Sequence, residues 1–202
     1  MKHRWFIAVS VGLFVMPIVA IGLLGSWNSF QIHDLPVISQ IPDFQLQERS
    51  GRSLALRDLA GKVWIGSFIF TRCSGQCPLI AQRVKRLEHD LRHRTEVRFL
   101  SFSVDPENDT EAVLFEYAKK FDANPLKWFF VTGEKRAIYQ VVHDGFKTVI
   151  EDGNADTEAV LHTSKLALVD PWGRVRGYYD ANEDADMKKL LKDTRRLIKQ
   201  AF

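Results

Sequence analysis

The chain has 202 residues and a mass of 23.2 kDa; 46% of its residues are apolar and 26% charged, and its 12 Gly and 7 Pro exclude a collagenous, low-complexity or wholly disordered polypeptide. Two cysteines are too few for a disulfide-dense scaffold or a four-thiolate zinc site. The formal net charge is +3, and setting aside Lys2 and Arg4 leaves the rest nearly neutral, with no basic stripe interleaved with aromatics, which excludes nucleic acid as a partner.

From Phe6 to Leu24 there are 19 residues without a charge, and the first acidic residue of the chain is Asp34. At about 1.5 Å per residue such a helix approaches the ~30 Å hydrocarbon core of a bilayer. Residues 1–25 are therefore expected to form a single transmembrane helix, which tolerates Pro17. Trp5 and Trp27 bracket the run as interfacial aromatics would. Lys2 and Arg4 on the short side put the amino terminus in the cytoplasm of a bacterial-type inner membrane and the body in the periplasm or an equivalent extracytoplasmic space. A cleaved signal peptide is the competing reading, but the apolar run exceeds the usual core of about 7–15 residues. Residues 26–41, of mixed polarity and containing Pro36, read as a tether to one folded body over 42–202.

Within the body, Phe44 to Gln47 alternates, Ser50-Gly51-Arg52 turns, and Leu54 and Leu56 alternate again. Val63 to Phe70 is short, branched and aromatic, as a buried central strand is. A helix follows over Pro78 to Arg92 and a second buried strand over Val97 to Val104. Thr110 is positioned to cap a helix through Phe121; a strand at Trp128 to Val131 and a helix at Glu134 to His143 come next. Leu166 to Val169, the turn Pro171-Trp172-Gly173 and Val175 to Tyr179 make a hairpin. Asp184 and Asp186 open a closing helix rich in bases toward its end. The fold class is α/β, a mixed sheet flanked by helices.

The candidate chemistry lies in Thr71-Arg72-Cys73-Ser74-Gly75-Gln76-Cys77-Pro78, where a buried strand hands over to a helix. Free amides and the helix dipole stabilise a thiolate at such a junction, and Arg72 is placed to lower the thiol pKa further. Pro78 costs little in a first helical turn. Four-residue spacing brings the α-carbons to roughly 6 Å, within disulfide range. The pair can close as a disulfide or hold a soft ion such as Cu(I) as thiolates. A purely structural disulfide is disfavoured, since so short a loop removes little unfolded-state entropy. Among the histidines, His3 and His33 precede the body, His89 and His93 read as a solvated helix face, and His143 as structural. His162 differs: it closes a polar loop just before the strand at Leu166. Asp105, after the second buried strand, either orients a ligand or forms a turn with Pro106.

Phe70-Thr71-Arg72-Cys73-Ser74-Gly75-Gln76-Cys77-Pro78, then Phe102-Ser103-Val104-Asp105-Pro106-Glu107-Asn108-Asp109-Thr110, then His162 followed by Leu168-Val169-Asp170, Gly173 and Arg176-Gly177-Tyr178-Tyr179-Asp180, closely resemble the Sco/SenC family in the same order. Ser74 stands where that family frequently has proline. The resemblance implies a thioredoxin-like fold, a membrane tether, and a copper site for Cu(I) or Cu(II) made by Cys73, Cys77 and His162. It further implies delivery of copper to the dinuclear copper site in cytochrome c oxidase subunit two or a related copper protein, or reduction of that site's thiols, with a thiol reductant protein as a further partner. The alternative is an extracytoplasmic thiol–disulfide oxidoreductase in which Cys73 attacks and Cys77 resolves. No proline immediately precedes His162-Thr163-Ser164, which argues against a general disulfide reductase, and no peroxiredoxin pattern lies ahead of Cys73.

Overall fold

The computed structural model describes residues 34–73, 75–147 and 164–202. The expected transmembrane helix and His162 lie outside them, and among the described residues no helix is long and apolar enough to cross a membrane. Residues 35–202 form one folded unit. It takes in residues 35–41, ascribed above to the tether: β1 (Ser39–Gln40) pairs with a late strand, and Arg176 donates to the carbonyls of Leu35 and Pro36.

The long apolar run becomes β4 (Val63–Ile69), in which every residue is buried, after the short strands β2 (Gln45–Glu48) and β3 (Ser53–Ala55). Helix α1 (Gln76–Asp90) carries Ile80, Ala81, Val84 and Leu87 at helical spacing and returns the chain to β5 (Val97–Ser103), which lies parallel to β4. Helix α2 (Glu111–Lys120) starts at Thr110, whose hydroxyl accepts from Val113 N, and runs from Glu111 to Lys119 and Lys120, the charge order that the backbone dipole favours. It leads to β6 (Trp128–Thr132), parallel to β5. The predicted hairpin is β7 (Lys165–Val169) and β8 (Arg174–Asp180), and the chain closes with α4 (Asp184–Ala201).

These strands form one mixed sheet of eight, in the order β1-β8-β7-β4-β5-β6-β2-β3. Alternation along β4 and β5 sends Val63, Ile65, Ile69, Val97 and Phe99 to the face covered by α1, α2 and α4, and Trp64, Phe68, Leu100 and Phe102 to the other. That other face is closed by Ile41, Phe44 and Leu59 and by α3 (Lys135–Gln140). Here the expected helix to His143 changes character: after Gln140 the chain widens into a π turn over Val141–Gly145. The wider turn seats Phe146 among Trp64, Phe68 and Phe102, with ring centroids 6.0, 5.0 and 5.5 Å away. Gly66 leaves room for it, since a Cβ there would sit 3.2 Å from the Phe146 ring.

For the site, the central strand matters most. β4 has β5 parallel on one side and β7 antiparallel on the other, in the register Trp64↔Val169, Ile65↔Leu168, Gly66↔Ala167. The carboxyl end of β4, which the cysteine segment leaves, is therefore the end at which β7 begins.

Candidate functional site

β4 stops at Ile69, the Cys73 amide donates to the carbonyl of Phe70 to close a tight turn, and α1 starts at Gln76. α1 has no side-chain cap and no acid in its first turn, where an oxygen acceptor would ordinarily sit. A sulfur takes that place: the Cys77 amide donates to Cys73 Sγ at 3.5 Å. Pro78, also in the first turn, removes one amide that would otherwise need an acceptor.

The two thiols are free and unequal. Cys73 is partly exposed and Cys77 is buried. Burial by itself would raise the Cys73 thiol, but the converging amides of Cys77, Gly75 and Gln76 and the Cys77 side chain outweigh it, so Cys73 ionises below the ordinary thiol value. Cys77 is pushed up to about 12, chiefly by burial, with the neighbouring Cys73 and the charge of Asp109 adding to the rise. One sulfur is thus an accessible nucleophile, and the other a protonated partner behind it.

Arg72 has a partner of its own: its guanidinium pairs with Asp105 through Nη2 at 2.9 Å and Nε at 3.2 Å, while the helix amides and the Cys77 side chain are the main groups that lower Cys73. Asp105 also forms a turn, its carbonyl accepting from the amides of Asn108 and Asp109, while its amide donates to Ser103 Oγ. It belongs both to a turn and to the cysteine segment, through Arg72.

Asp109, which the sequence reading passed over as a site residue, holds the cysteine turn. It is fully buried, and its carboxylate accepts from Thr71 N at 3.1 and 3.2 Å, from Thr71 Oγ1 at 2.5 Å and from Ser103 Oγ at 2.6 Å. Burial holds its carboxyl above the usual range despite these bonds. The signal was present: an acid directly before the Thr110 cap faces back over the ends of two parallel strands. Tyr117, on the same helix, was missed as well. Its ring packs in the apolar cluster that contains Cys77 and, at its edge, Cys73, and its buried hydroxyl has no hydrogen-bond partner among the described residues.

Three of the six histidines lie among the described residues: His89 is on the solvated face of α1, His93 falls past the helix end, and His143, read as structural, is exposed. His89 is exposed beside Asp90, His93 is exposed, and His143 is exposed with Nδ1 2.8 Å from Asp144. Among the described residues no three His, Cys, Asp or Glu side chains converge as a metal-binding group. Cys73 and Cys77 are brought together, and their soft sulfurs suit a soft ion.

The fold and this site define a thioredoxin-type α/β domain with paired thiols at a strand-to-helix junction, at the carboxyl end of the central parallel strands. Comparison with known proteins gives the class its family. The SCO1/SenC family model matches residues 37–199, and the chain belongs to that family. It is 31% identical over 167 residues to the SCO1 protein homolog of Bacillus subtilis (strain 168), covering 82% of this chain and 86% of the relative. Among solved structures, it is similar to BsSco, a member of the Sco family of cytochrome c oxidase assembly proteins in which a disulfide switch has been identified. That likeness has a TM-score of 0.70 at 30% identity and covers 79% of this chain and 94% of that one. It is also similar to Arabidopsis thaliana ScoI with copper bound, with a TM-score of 0.68 at 25% identity, covering 80% of this chain and 99% of that one.

Proposed function

We propose that the chain is a membrane-anchored copper-binding assembly factor that carries Cu(I) on the thiolates of Cys73 and Cys77, with His162 as third ligand. The recipient is the dinuclear copper site of cytochrome c oxidase subunit two or a related copper protein. The observation that carries this reading is the convergence of two free sulfurs, one of them accessible, on a junction held by the buried Asp109. Family membership, the copper-bound relative and the assembly role of BsSco support it. Register supports His162: β7 begins three residues after it, at the end of β4 that leads to Cys73. Two thiolates and a neutral imidazole make a low-coordinate soft site that leaves an approach for a recipient's thiols, so the ion passes by ligand exchange. The uncharged run from Phe6 to Leu24 and the basic Lys2 and Arg4 support an inner-membrane anchor with the domain in the periplasm.

The unequal thiols favour one second reading, a thiol–disulfide oxidoreductase. The Cys73 thiolate attacks a substrate disulfide, forming a mixed disulfide and releasing one substrate thiolate. Cys77 then gives up its proton and attacks Cys73 Sγ, closing the 73–77 disulfide and releasing the second thiol. Two electrons pass to the substrate, and a thiol reductant protein restores the pair.

Cu(I) stoichiometry and chelator competition on the anaerobically reduced chain, beside Cys73→Ser and His162→Ala, separate the two. The copper reading requires tight binding of one ion and severe loss in both variants. Failure of the reduced wild type to outcompete a moderate chelator would overturn it, while exchange rates left intact by His162→Ala favour the oxidoreductase.

A further inference from the structure

The copper reading uses one end of the sheet; the other end, where β4, β5 and β6 begin and β7 stops, has no part in it. The segments at this other end are joined in a row: the Gly61 amide donates to the carbonyl of Pro171, Lys62 Nζ to that of Thr95, and Lys127 Nζ to those of Leu91, Arg92 and Arg94. The row is basic. Arg92 and Arg94 are exposed, Lys62 and Arg98 are half-buried beside them, and Arg174 stands at one end, while Glu96 and Asp90 oppose them. Each end of the row carries a bare apolar side chain: Trp172, 61% exposed, in the β7–β8 turn, and Leu126, 74% exposed, just before β6. Three strand spacings separate them, about 14 Å. The turn that presents Trp172 is firmly held, since its amide donates to Asp170 Oδ1 at 3.0 Å, its carbonyl accepts from Gln40 Nε2 at 3.0 Å, and Gly173 supplies the left-handed residue at φ 76°. The ring meets the Arg174 guanidinium, 4.8 Å from its centroid, and stays largely in water. The turn needs the backbone of residue 172 and not its side chain, so packing does not account for an indole there.

We propose that this end docks on the headgroups of anionic phospholipids, with Trp172 and Leu126 entering the interface and the basic row lying over the phosphates. Indole and guanidinium side by side suit the headgroup level, and each arginine near an anionic leaflet adds to the attraction. Two apolar contacts at opposite ends of a basic row fit a flat surface, whereas a protein partner would meet a central apolar cluster. A bilayer is also at hand: ten residues separate the uncharged run ending at Leu24 from Leu35, and that stretch reaches at most about 40 Å. The inference goes beyond the copper reading and takes from the anchor reading only the nearness of lipid. Docked in this way, the domain points the carboxyl end of β4 into the aqueous phase. The cysteine turn then stands about 20 Å above the headgroups, the rise of the seven-residue strand.

The test is the full-length chain reconstituted into vesicles of phosphatidylcholine, alone or mixed with phosphatidylglycerol, both carrying lipids brominated near the headgroup end of the acyl chain. Emission of residue 172 is read as the difference between wild type and Trp172→Phe, because the chain has five tryptophans. Quenching of that difference is expected on the mixed vesicles and not on the neutral ones. Arg92→Gln together with Arg94→Gln should lower the ratio of docked to free domain about 30-fold at an unchanged melting temperature. Salt at about 1 M, which shortens screening to ~3 Å, should release the wild type as well, and it decides if the double variant melts early. Residue 172 unquenched on the mixed vesicles, or equally quenched on both, overturns the proposal; the first result leaves this end to a protein partner. A chain that does not float with the neutral vesicles overturns the anchor reading alone, since residue 172 still reports docking on the mixed ones.

Discussion

Replacing Asp109 by alanine removes the acceptor for three donors at once. The Thr71 amide cannot turn to find another partner, and a buried donor left unmet costs about 1–3 kcal/mol. The Thr71 and Ser103 hydroxyls can rotate, and each lost bond adds about 0.5–1.5 kcal/mol. Against this, the variant no longer buries a carboxyl that its surroundings disfavour as an anion. The net expectation is a loss of about 2–4 kcal/mol, a large part of the ~5–15 kcal/mol that holds a typical domain together. Urea unfolding of the reduced, metal-free chain, followed by far-ultraviolet circular dichroism, reads this as a lower midpoint at constant slope. Asp105→Ala is the control: its partner Arg72 is 47% exposed, and a pair so open contributes about 0–1 kcal/mol. The sign with pH is fixed. Folded Asp109 keeps its proton where an unfolded carboxyl has lost it, so its share of stability is complete below pH 3.8 and fades as pH rises through the folded value. The gap between wild type and variant therefore narrows on going up from pH 3.8. A loss no larger than that of Asp105→Ala, with unchanged reactivity at Cys73, would refute the idea that this carboxylate holds the cysteine turn.

The two thiols should separate in an alkylation–pH profile read by mass spectrometry: Cys73 reacts first, with a midpoint below the ordinary 9.0, and Cys77 follows only toward about 12. Faster labelling of Cys77 would contradict the assigned order. Because folded Cys77 holds its proton where an unfolded thiol has lost it, the reduced chain should lose stability as pH rises from 9.0 toward about 12. Cys77→Ser should flatten that decline in chemical denaturation run at a series of pH values. Asp170, fully buried, accepts from Arg174 Nε at 2.7 Å and Arg176 Nη1 at 2.9 Å, so Asp170→Ala takes away the carboxylate paired with the buried Arg176 and leaves its charge to the carbonyls of Leu35 and Pro36. It should cost about 3–5 kcal/mol in urea unfolding, without altering the order of thiol reactivity.

The central elements were legible because their signals are local. A run as apolar as Val63 to Ile69 has few alternatives to a buried strand, and the spacing of Ile80, Val84 and Leu87 reads directly as a helix face. The pairings of β1 with β8 and of β2 with β6 were not legible, since partners so far apart are chosen by the closed sheet. The π turn after Gln140 answers to Phe146 and Gly66, which meet only when the sheet is formed. At the site, the cysteine spacing announced the pair, but charge assignment needed geometry. Arg72 sits next to Cys73 in sequence and yet pairs with Asp105 from the neighbouring crossover, whereas Asp109, far along the chain, reaches Thr71.

The opening turn of α1 is closed by a sulfur, and that choice has a mechanical side. An oxygen cap is a permanent fixture, whereas this acceptor changes character whenever Cys73 is oxidised, alkylated or coordinated. The Cys77 amide then binds a weaker or displaced acceptor, and the first coil of the helix must adjust. Leu79, exposed on that coil, moves with it. A protein resting there would sense the chemical state of the thiol through shape, without touching the sulfur.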